Sequence, residues 1–210
     1  MTSTRRALLV IDVQNEYISG NLPIAFPDPQ QALTHIGRAM DAARAHGLPV
    51  VVVQNLAPAG SPLFSTGSEG AALHPVVAGR PHDLLLTKSM PSAFTGTTLE
   101  SWVAAQGITT LVVTGFMTHN CDDATIKHAV HLGLDVEFLS DASGSVPYAN
   151  RAGQASAEEI HRVFSVVLQS RFAAVMDTTT WLALLQSGGK PVRENIHQSH
   201  QNARGIAAAA

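Results

Sequence analysis

Short, continuously apolar segments alternate along this chain with segments in which apolar residues recur every three or four positions. The apolar runs lie at residues 7–12, 48–54, 83–86, 110–114, 134–139 and 172–176, of which the third is the weakest. Strands that are covered on both faces have such sequences, because neither face meets water. Alternation of strands and helices favours a parallel sheet between two helical layers, joined by right-handed crossovers. We therefore predict an α/β fold, a three-layer α/β/α sandwich.

The intervening segments carry the signals with which helices begin and end. One apolar stripe is formed by Leu33, Ile36, Met40 and Ala43. Gly47 is expected to end that helix. Thr97 with Glu100, and Ser156 with Glu159, each match a capping box that opens a helix. The second box precedes an apolar stripe at Ile160, Val163, Phe164 and Val167. These signals predict helices in the gaps between the strands.

The chain length of 210 residues fits one domain, which we place at residues 1–186. Two stretches lie outside the strand–helix alternation. Residues 55–81 are rich in Gly, Pro and Ser, and a loop this long often forms a lid or a substrate wall. Residues 187–210 lack an apolar stripe. We expect them to form a C-terminal tail that is mobile or packs as an arm on another subunit.

Charge and hydropathy exclude several classes of protein. Thirteen Lys and Arg against sixteen Asp and Glu give a net charge of −3, so there is no basic excess to bind nucleic acid. No apolar run approaches the roughly 20 residues that span a bilayer, so no membrane partner is expected. The apolar run near the start is shorter than the core of a signal peptide. Cys121 is the single cysteine, so an internal disulfide is impossible. These features predict a cytoplasmic protein.

One carboxylate, one ammonium and one thiol are expected at the same edge of the predicted sheet. Asp12 ends the first strand, Lys88 follows the third, and Cys121 follows the fourth where a helix begins. Ligands of open parallel sheets bind beyond the carboxyl ends of the strands. The helix dipole and the neighbouring ammonium are expected to lower the pKa of the Cys121 thiol.

Such a trio can hydrolyse an amide. Asp12 can accept the thiol proton and later return it to a leaving amine. Cys121 would attack the carbonyl carbon and form a thioester, which water then hydrolyses. No step needs a metal or a cofactor. Each residue also has a structural interpretation: Cys121 as buried filler, Asp12 as the cap of a loop and Lys88 as a surface charge. Their coincidence at one sheet edge favours catalysis.

Three segments carry a family resemblance: LLVIDVQNEY at 8–17, TKSMPSAFTGTT at 87–98 and LVVTGFMTHNCDDATIKHA at 111–129. In this order and spacing they resemble the isochorismatase-like cysteine hydrolase superfamily, which includes nicotinamidases and several small-amide amidohydrolases. The resemblance implies a six-stranded parallel sheet and a triad of Asp12, Lys88 and Cys121. It also implies a cis peptide bond between Phe116 and Met117, an oxyanion hole formed by the amides of Met117 and Cys121, and a homo-oligomer, a dimer or a tetramer.

Two departures from the family pattern bear on the metal and on the nucleophile. Nicotinamidases carry an Asp-x-His metal motif after the second strand, where this chain has QNLA at residues 54–57. We therefore predict no metal site, which argues against a nicotinamidase. Asp122 and Asp123 follow the nucleophile where relatives carry small or apolar residues. On a regular helix they would point away from Cys121, so we expect them to serve the helix dipole.

Five further residues are candidates for substrate binding: Gln14, Phe94, Phe116, His119 and Tyr148. Gln14 follows the candidate base and His119 lies in the nucleophile turn. Tyr148 follows the fifth strand, where it could close the pocket. For Gln14 a loop hydrogen bond is an equal alternative, and for Phe94 the alternative is core packing.

The sequence as a whole predicts a metal-independent cysteine hydrolase that cleaves the C–N bond of a small, neutral or modestly polar amide. A small-molecule amide is then the expected partner, and ammonia or an amine is released. One alternative is an isochorismatase-type vinyl-ether hydrolase, which would use the acid without the thiol. Another is a non-catalytic or redox module with Cys121 as a sensing thiol. Replacing Cys121 by alanine would inactivate an amidase and leave an ether hydrolase active.

Overall fold

A computed structural model of the chain describes residues 4–205. Six strands form one parallel sheet in the order β3-β2-β1-β4-β5-β8. Their bounds are β1 (Arg6–Ile11), β2 (Val50–Asn55), β3 (Leu84–Lys88), β4 (Thr110–Phe116), β5 (Asp135–Gly144) and β8 (Ala174–Met176). A short antiparallel hairpin consists of β6 (Tyr148–Asn150) and β7 (Gly153–Ala155). The predicted α/β fold with a six-stranded parallel sheet is confirmed.

Helices cover both faces of the sheet. They are α1 (Pro29–Ala45), α2 (Pro75–Ala78), α3 (Leu99–Ala105), α4 (Asp123–His131), α5 (Ala157–Gln169), α6 (Thr178–Ser187) and α7 (Ile196–Ala203). One apolar core lies between the sheet and α1, α2 and α6, and a second lies between the sheet and α3, α4 and α5. Between residues 4 and 205, no helix is long and apolar enough to cross a membrane.

The first strand shows why its sequence is apolar without interruption. Leu8 and Val10 belong to the core on the α1 side, whereas Leu9 and Ile11 belong to the core on the α3 side. Successive side chains of a strand point to opposite faces, so a sheet with two covered faces needs an apolar residue at each position. Each buried side chain of this kind contributes roughly 1.5–3 kcal/mol to folding.

Strand register brings the carboxyl ends of β1, β3 and β4 to one edge of the sheet. Ile11, the last residue of β1, pairs with Gly115 of β4 and with Val53 of β2. Two residues later in β2, Asn55 pairs with Lys88, the last residue of β3. The chain segments that leave these strands therefore start side by side.

The two predicted capping boxes have different outcomes. At α5, Ser156 accepts from the Glu159 amide and Glu159 accepts from the Ser156 amide, so that box is confirmed. The prediction of a capping box at Thr97 and Glu100 is wrong. The helix there begins only at Leu99, and the Thr97 hydroxyl instead accepts from the Leu99 amide and donates to a carbonyl of the preceding loop.

The apolar stripe of α5 is only partly buried. Ile160 is buried, and Phe164 is half-buried, but Val163, Val166 and Val167 are exposed. The helix that the stripe indicates is present, and its buried positions also include Ala157, His161 and Leu168. The predicted homo-oligomer stays a prediction.

The two stretches outside the alternation contain some regular structure. The stretch 55–81 is a loop apart from the single turn of α2, and it packs beside the sheet edge that β1 and β3 reach. The predicted tail contains α7. It contacts the body where the Gln169 side chain donates to the Val192 carbonyl at 3.2 Å and Arg193 approaches Asp135 at 3.9 Å. The last residues of the tail, 206–210, lie outside the described residues, and its role as an arm stays a prediction.

Candidate active site

Asp12, Lys88 and Cys121 meet at the carboxyl edge of the sheet. The Lys88 ammonium lies 2.6 Å from Oδ2 of Asp12 and 3.3 Å from Sγ of Cys121. The side chains of Asp12 and Lys88 are both 0% exposed, and Cys121 is also buried. Oδ1 of Asp12 is buried without a hydrogen-bond partner, and the Cys121 thiol is near enough to the Asp12 carboxylate to influence its pKa. The geometry therefore joins a carboxylate, an ammonium and a thiol in one contact group.

The backbone around these residues adopts uncommon conformations. Asp12 has a φ of 52°, in the left-handed region that a residue with a short polar side chain tolerates. Gly115 has a φ of 120°, and a Cβ there would overlap the carbonyl oxygen of Ile11. Only glycine lets β4 approach the end of β1 so closely. The predicted cis bond between Phe116 and Met117 is confirmed.

Cys121 is carried on a π-helical turn, Thr118–Asp122, that joins β4 to α4. Wide turns of this kind occur as single turns and are frequent at functional sites. The turn continues directly into α4, so the thiol lies at the N-terminal end of the helix, as the sequence predicts.

Burial dominates the protonation of the three groups. It raises the pKa of Asp12, and the Lys88 ammonium opposes this rise. Burial, together with the Asp12 carboxylate, also raises the pKa of the Cys121 thiol against the attraction of Lys88. For Lys88, burial would lower the pKa, but Asp12 and Cys121 outweigh it and raise the value. The expectation that the Cys121 pKa is lowered is therefore wrong. The resting site holds a neutral thiol beside an Asp12–Lys88 ion pair.

A cavity of about 390 Å³ opens in front of Cys121. Its walls are formed by Tyr17, Leu22, Asn55, Leu63, Phe64, Ser89, Met90, Pro91, Met117, Asn120, Cys121 and Tyr148. Within the described chain, these walls consist of apolar and uncharged polar side chains. The volume lies within the range of pockets that bind small molecules.

A family model described as Isochorismatase domain matches residues 6–180 of the chain. The chain belongs to the isochorismatase family. The predicted resemblance is thereby confirmed, and the match covers the strands and turns that carry the three site residues.

The alignments with three relatives cover most of this isochorismatase-family chain. It is 67% identical to a protein of Burkholderia xenovorans LB400, provisionally named an isochorismatase, over 97% of this chain and 98% of that one, and the crystal structure superposes with a TM-score of 0.96. It is 31% identical to the uncharacterized isochorismatase family protein YddQ of Bacillus subtilis, over 84% of this chain and 98% of the relative. Ureidoacrylate amidohydrolase RutB of Methylobacterium radiotolerans is 30% identical, over 85% of this chain and 78% of the relative. These family members support a hydrolase.

Gln14, predicted to orient substrate or to hold a loop, makes its hydrogen bonds to the loop. Its side-chain amide donates to the carbonyls of Asn55 at 2.9 Å and Ala71 at 2.7 Å, and its oxygen accepts from the Asn55 amide at 2.9 Å. Gln14 is fully buried and is not among the residues that line the cavity. It therefore reaches the site through Asn55, which does line the cavity.

Glu16 is a second buried residue that holds the same loop, and it was not predicted from the sequence. One carboxylate oxygen accepts from the Asn21 amide at 2.6 Å, and the other accepts from the Phe64 amide at 3.4 Å. A Cβ at Gly20 or Gly70 would collide with Glu16, so both positions need glycine. Glu16 thus fixes Phe64 as a wall of the cavity.

Phe94 and Phe116, two predicted substrate contacts, pack inside the protein. Phe94 stacks at 5.0 Å on the ring of His128, in the core on the α3 side. Phe116 stacks at 5.6 Å on Tyr17, which in turn packs on Phe64. Neither phenylalanine lines the cavity, so the alternative of core packing describes Phe94, and Phe116 supports the wall from behind.

His119 and Tyr148 are close together beside the cavity, but only Tyr148 lines it. The two rings meet edge to face at 5.1 Å, and Nδ1 of His119 is 3.0 Å from the Ser145 hydroxyl. Burial, assisted by His161, lowers the pKa of His119 to about 4, so its imidazole is neutral at neutral pH. His119 therefore supports Tyr148, and substrate contact by Tyr148 stays a prediction.

Several wall residues were missed although they adjoin residues that were found. Ser89, Met90 and Pro91 directly follow Lys88, and Asn120 directly precedes Cys121. Adjacency to the triad was a usable signal for these four. The wall residues of the long loop, Leu63 and Phe64, were covered only by the general expectation that residues 55–81 form a lid or a substrate wall, because neither periodicity nor a motif singles them out.

The two acidic residues after the nucleophile differ from each other. Asp123 forms an ion pair at 2.7 Å with Lys127, one turn further along α4. A carboxylate in this position stabilises the helix, as the sequence predicts. Asp122 is instead completely buried, and both of its carboxyl oxygens lack a hydrogen-bond partner. The expectation that Asp122 serves the helix dipole is therefore wrong, because the π-helical turn directs it into the protein.

Residues 54–57, which stand where nicotinamidases carry their metal motif, are held by hydrogen bonds to and from neighbouring segments. The Gln54 side chain donates to the Ala71 carbonyl at 2.8 Å, and the backbone of Asn55 is held by Gln14. Between residues 4 and 205, no three His, Cys, Asp or Glu side chains are grouped closely enough to bind a metal ion together. Independence from a metal stays a prediction.

Proposed function

We propose that this isochorismatase-family protein hydrolyses the C–N bond of a small amide through a thioester on Cys121, without a metal. One observation carries the proposal: the Lys88 ammonium contacts both the Asp12 carboxylate and the Cys121 sulfur beside a cavity of small-molecule size. A thiol, a base and a fixed positive charge are the groups that nucleophilic acyl transfer needs.

The first half of the reaction forms the thioester. Oδ1 of Asp12 takes the proton of the Cys121 thiol, and the sulfur attacks the carbonyl carbon. The Lys88 ammonium stabilises the developing thiolate, which burial alone would disfavour. The carbonyl oxygen becomes an oxyanion that the backbone amides of Met117 and Cys121 hold, since both residues line the cavity. The C–N bond then breaks as Asp12 returns its proton to the leaving nitrogen.

The second half restores the enzyme. Asp12 takes a proton from water while the water oxygen attacks the thioester carbonyl. Collapse of the second tetrahedral intermediate breaks the C–S bond, and the proton on Asp12 returns to the sulfur. The products are a carboxylic acid and ammonia or an amine. A base that first accepts and then donates a proton needs a pKa above the usual value of an aspartate, and burial raises the pKa of Asp12 in that direction.

The cavity favours a neutral substrate. Asn55, Ser89 and Asn120 supply its uncharged polar groups, and aromatic and aliphatic side chains supply most of the rest. A charged substrate group entering this cavity would lose its hydration without gaining an ion pair in return. We therefore propose an uncharged amide, ureide or carbamoyl compound. The amidohydrolase name of the relative RutB supports a C–N bond as the target.

Independence from a metal rests on the residue types after the second strand. Where a nicotinamidase carries an Asp-x-His motif, this chain has QNLA at residues 54–57, a segment with amide and aliphatic side chains and neither a carboxylate nor an imidazole. Amide groups are poor replacements for imidazole as ligands of a transition metal. The triad itself supplies the nucleophile, the base and the charge for each step.

Ammonia release from a panel of small amides, ureides and carbamoyl compounds tests the proposal. Wild type, Cys121→Ala and the control Asp123→Asn would be assayed in parallel at neutral pH with a chelator present. We expect release by wild type and by Asp123→Asn, and a loss of at least about a thousandfold in Cys121→Ala. Mass spectrometry of wild type quenched during turnover should show an acyl adduct on Cys121, the only cysteine.

The same assay separates the alternatives. Full activity of Cys121→Ala would refute the thioester mechanism, and cleavage of a vinyl ether by that variant would indicate an isochorismatase-type hydrolase. Loss of activity on adding the chelator would contradict independence from a metal. A wild type that is inactive on the whole panel but changes its oligomeric state on thiol oxidation would favour the sensing role of Cys121.

A further inference from the structure

Asp122 is the most unusual buried group outside the proposed triad. It follows Cys121 directly, closes the π-helical turn and has no exposed surface. Its backbone amide donates to the Met117 carbonyl at 3.1 Å, which fixes the residue in place. Neither oxygen of its carboxyl group receives a hydrogen bond within the described chain.

A carboxylate in this position would be strongly unfavourable. A buried ion without a partner loses several kcal/mol of hydration that nothing replaces, and such groups take up a proton instead. The hydroxyl of Ser143, itself buried and without another partner in the described chain, is close enough to Asp122 to affect the pKa of its carboxyl group. A protonated carboxyl can share a hydrogen bond with that hydroxyl and avoids the cost of a buried charge.

The groups around Asp122 come from five elements of the fold. They are Asp12 after β1, Tyr17 in the turn that follows, Lys88 at the end of β3, Asp123 at the start of α4 and Ser143 in β5. Two of these are carboxylates, and the one ammonium is already bound to Asp12 at 2.6 Å. With Asp122 neutral, the buried charges of Asp12 and Lys88 balance.

We propose that Asp122 is a positioning residue that must stay uncharged for Cys121 to ionise, so that loss of its proton in alkaline solution suppresses the nucleophile. The proposal deepens the proposed function and, for its effect on turnover, rests on it. Its effect on the thiol itself can be measured without any substrate.

The direction of the pKa of Asp122 agrees with the geometry. Burial raises it to about 8, and the Asp12 carboxylate adds to the rise. At neutral pH the group is therefore mostly protonated. Above that value a second negative charge joins that of Asp12, on the residue that directly follows Cys121, and the formation of a thiolate at Cys121 becomes less favourable because like charges repel.

The test is alkylation of Cys121 by iodoacetamide as a function of pH, followed by mass spectrometry. With one cysteine in the chain, the rate reports on this thiolate alone. Wild type and Asp122→Asn, which keeps the shape but cannot ionise, would be compared from about pH 6.5 to about pH 9.5, on either side of the pKa of about 8. We expect the ratio of the variant rate to the wild-type rate to rise about tenfold across this interval, equivalent to a shift of one pKa unit.

The matched control is Asp123→Asn, which removes the neighbouring carboxylate that is paired with Lys127. Its rate relative to wild type should change far less over the same interval, because Asp123 contributes only the smallest of the effects that shift the pKa of Asp122. A constant ratio for Asp122→Asn would overturn the proposal. A ratio that rises equally for both variants would also overturn it, because any nearby carboxylate would then have the same effect.

Two measurements keep the proposal testable if Asp122→Asn does not fold. Infrared spectroscopy of wild type should show a neutral carboxylic acid band at neutral pH that disappears near pH 8, and its absence would contradict the proposal. Ser143→Ala removes a hydroxyl that lowers the pKa of Asp122, so the band should persist to higher pH. If amidase activity is absent but the alkylation ratio rises, the proposed function fails and the role of Asp122 stands.

Discussion

The two sides of the cavity are built by different means. One side is the sheet edge, where Asp12 and Lys88 directly continue or end parallel strands and Cys121 follows the next turn. The other side belongs to the loop 55–81, which supplies Leu63 and Phe64 and contains little regular structure. The first side is fixed by strand register, and the second depends on buried polar tethers.

The tethers come from the segment that follows Asp12. Gln14 holds the backbone of Asn55, and Glu16 holds the amide of Phe64. The short stretch after β1 thus carries the candidate base and both tethers. The position of the loop beside the cavity is therefore coupled to the strand that carries the candidate base. Polar residues that follow a candidate catalytic residue in sequence can thus hold the opposite wall of the cavity in place without lining the cavity themselves.

Breaking the sheet-edge side should have the largest effect. Lys88→Met removes the ammonium that contacts Asp12 and, within residues 4–205, leaves this buried carboxylate without an ion pair. We expect activity to be lost and the free energy of unfolding to fall by about 3–5 kcal/mol near neutral pH. Urea denaturation at several pH values would measure the change.

The pH dependence of that loss has a definite sign. Burial raises the pKa of Asp12 in the folded state, and removing Lys88 raises it further. A group with a raised folded-state pKa stabilises the fold below its unfolded pKa, and this contribution is lost as pH rises through the folded value. Lys88→Met should therefore be least destabilised in acid and most destabilised above neutrality. As a control, Lys127→Met removes a partly buried ion pair between residues one helical turn apart, whose lysine end is more than a third exposed, and should change stability by about 1 kcal/mol or less.

The sheet-edge side was predictable because it depends on a few strong rules. Continuous apolar runs identified the strands, and parallel strands end at a common edge. Asp12, Lys88 and Cys121 follow from those two rules before any family is considered. Of the two local capping motifs, the one at Ser156 formed the box and the one at Thr97 did not, so a local motif alone was a weaker guide than strand patterning.

The predictions that were wrong or missing concern buried groups and irregular backbone, neither of which can be seen in the sequence. Asp122 was assigned to the helix surface because a regular helix would turn it outward, whereas the π-helical turn places it inside. The pKa of Cys121 was expected to fall because the sequence shows its charged neighbours but not how deeply the thiol is buried. Leu63 and Phe64 were missed because contacts distant in sequence place them, through Glu16 in the case of Phe64.

Breaking the loop side should have an intermediate effect. Gln14→Met removes both hydrogen bonds to the backbone of Asn55, which then stays partly buried without partners. We expect a loss of roughly 2–3 kcal/mol in the free energy of unfolding. Since Asn55 lines the cavity, KM should rise by a larger factor than kcat falls. Hydrogen exchange of the loop 55–81 and steady-state kinetics would measure these changes.

Gln54→Met is the matched control for this variant. The Gln54 amide donates to the same Ala71 carbonyl as Gln14, at 2.8 Å, and so its loss leaves that carbonyl with one donor. A change in stability of less than about 1 kcal/mol is expected. Equal effects of the two substitutions on KM would show that the loop is not held specifically through Asn55, and the contrast between the two sides of the cavity would then be weaker.

The smallest effect should come from a site that belongs to neither side of the cavity. Ser156→Ala removes the side chain that accepts from the Glu159 amide and should reduce the free energy of unfolding by about 1 kcal/mol while leaving kcat and KM unchanged. Glu100→Ala is its control, because the sequence predicts the same box there and the structure gives α3 no side-chain cap. That change should stay within about 0.5 kcal/mol. Thermal unfolding of both variants would measure these changes. If Glu100→Ala lost as much stability as Ser156→Ala, the start of α3 would contain the capping box that the sequence predicts, and the observed geometry there would be contradicted.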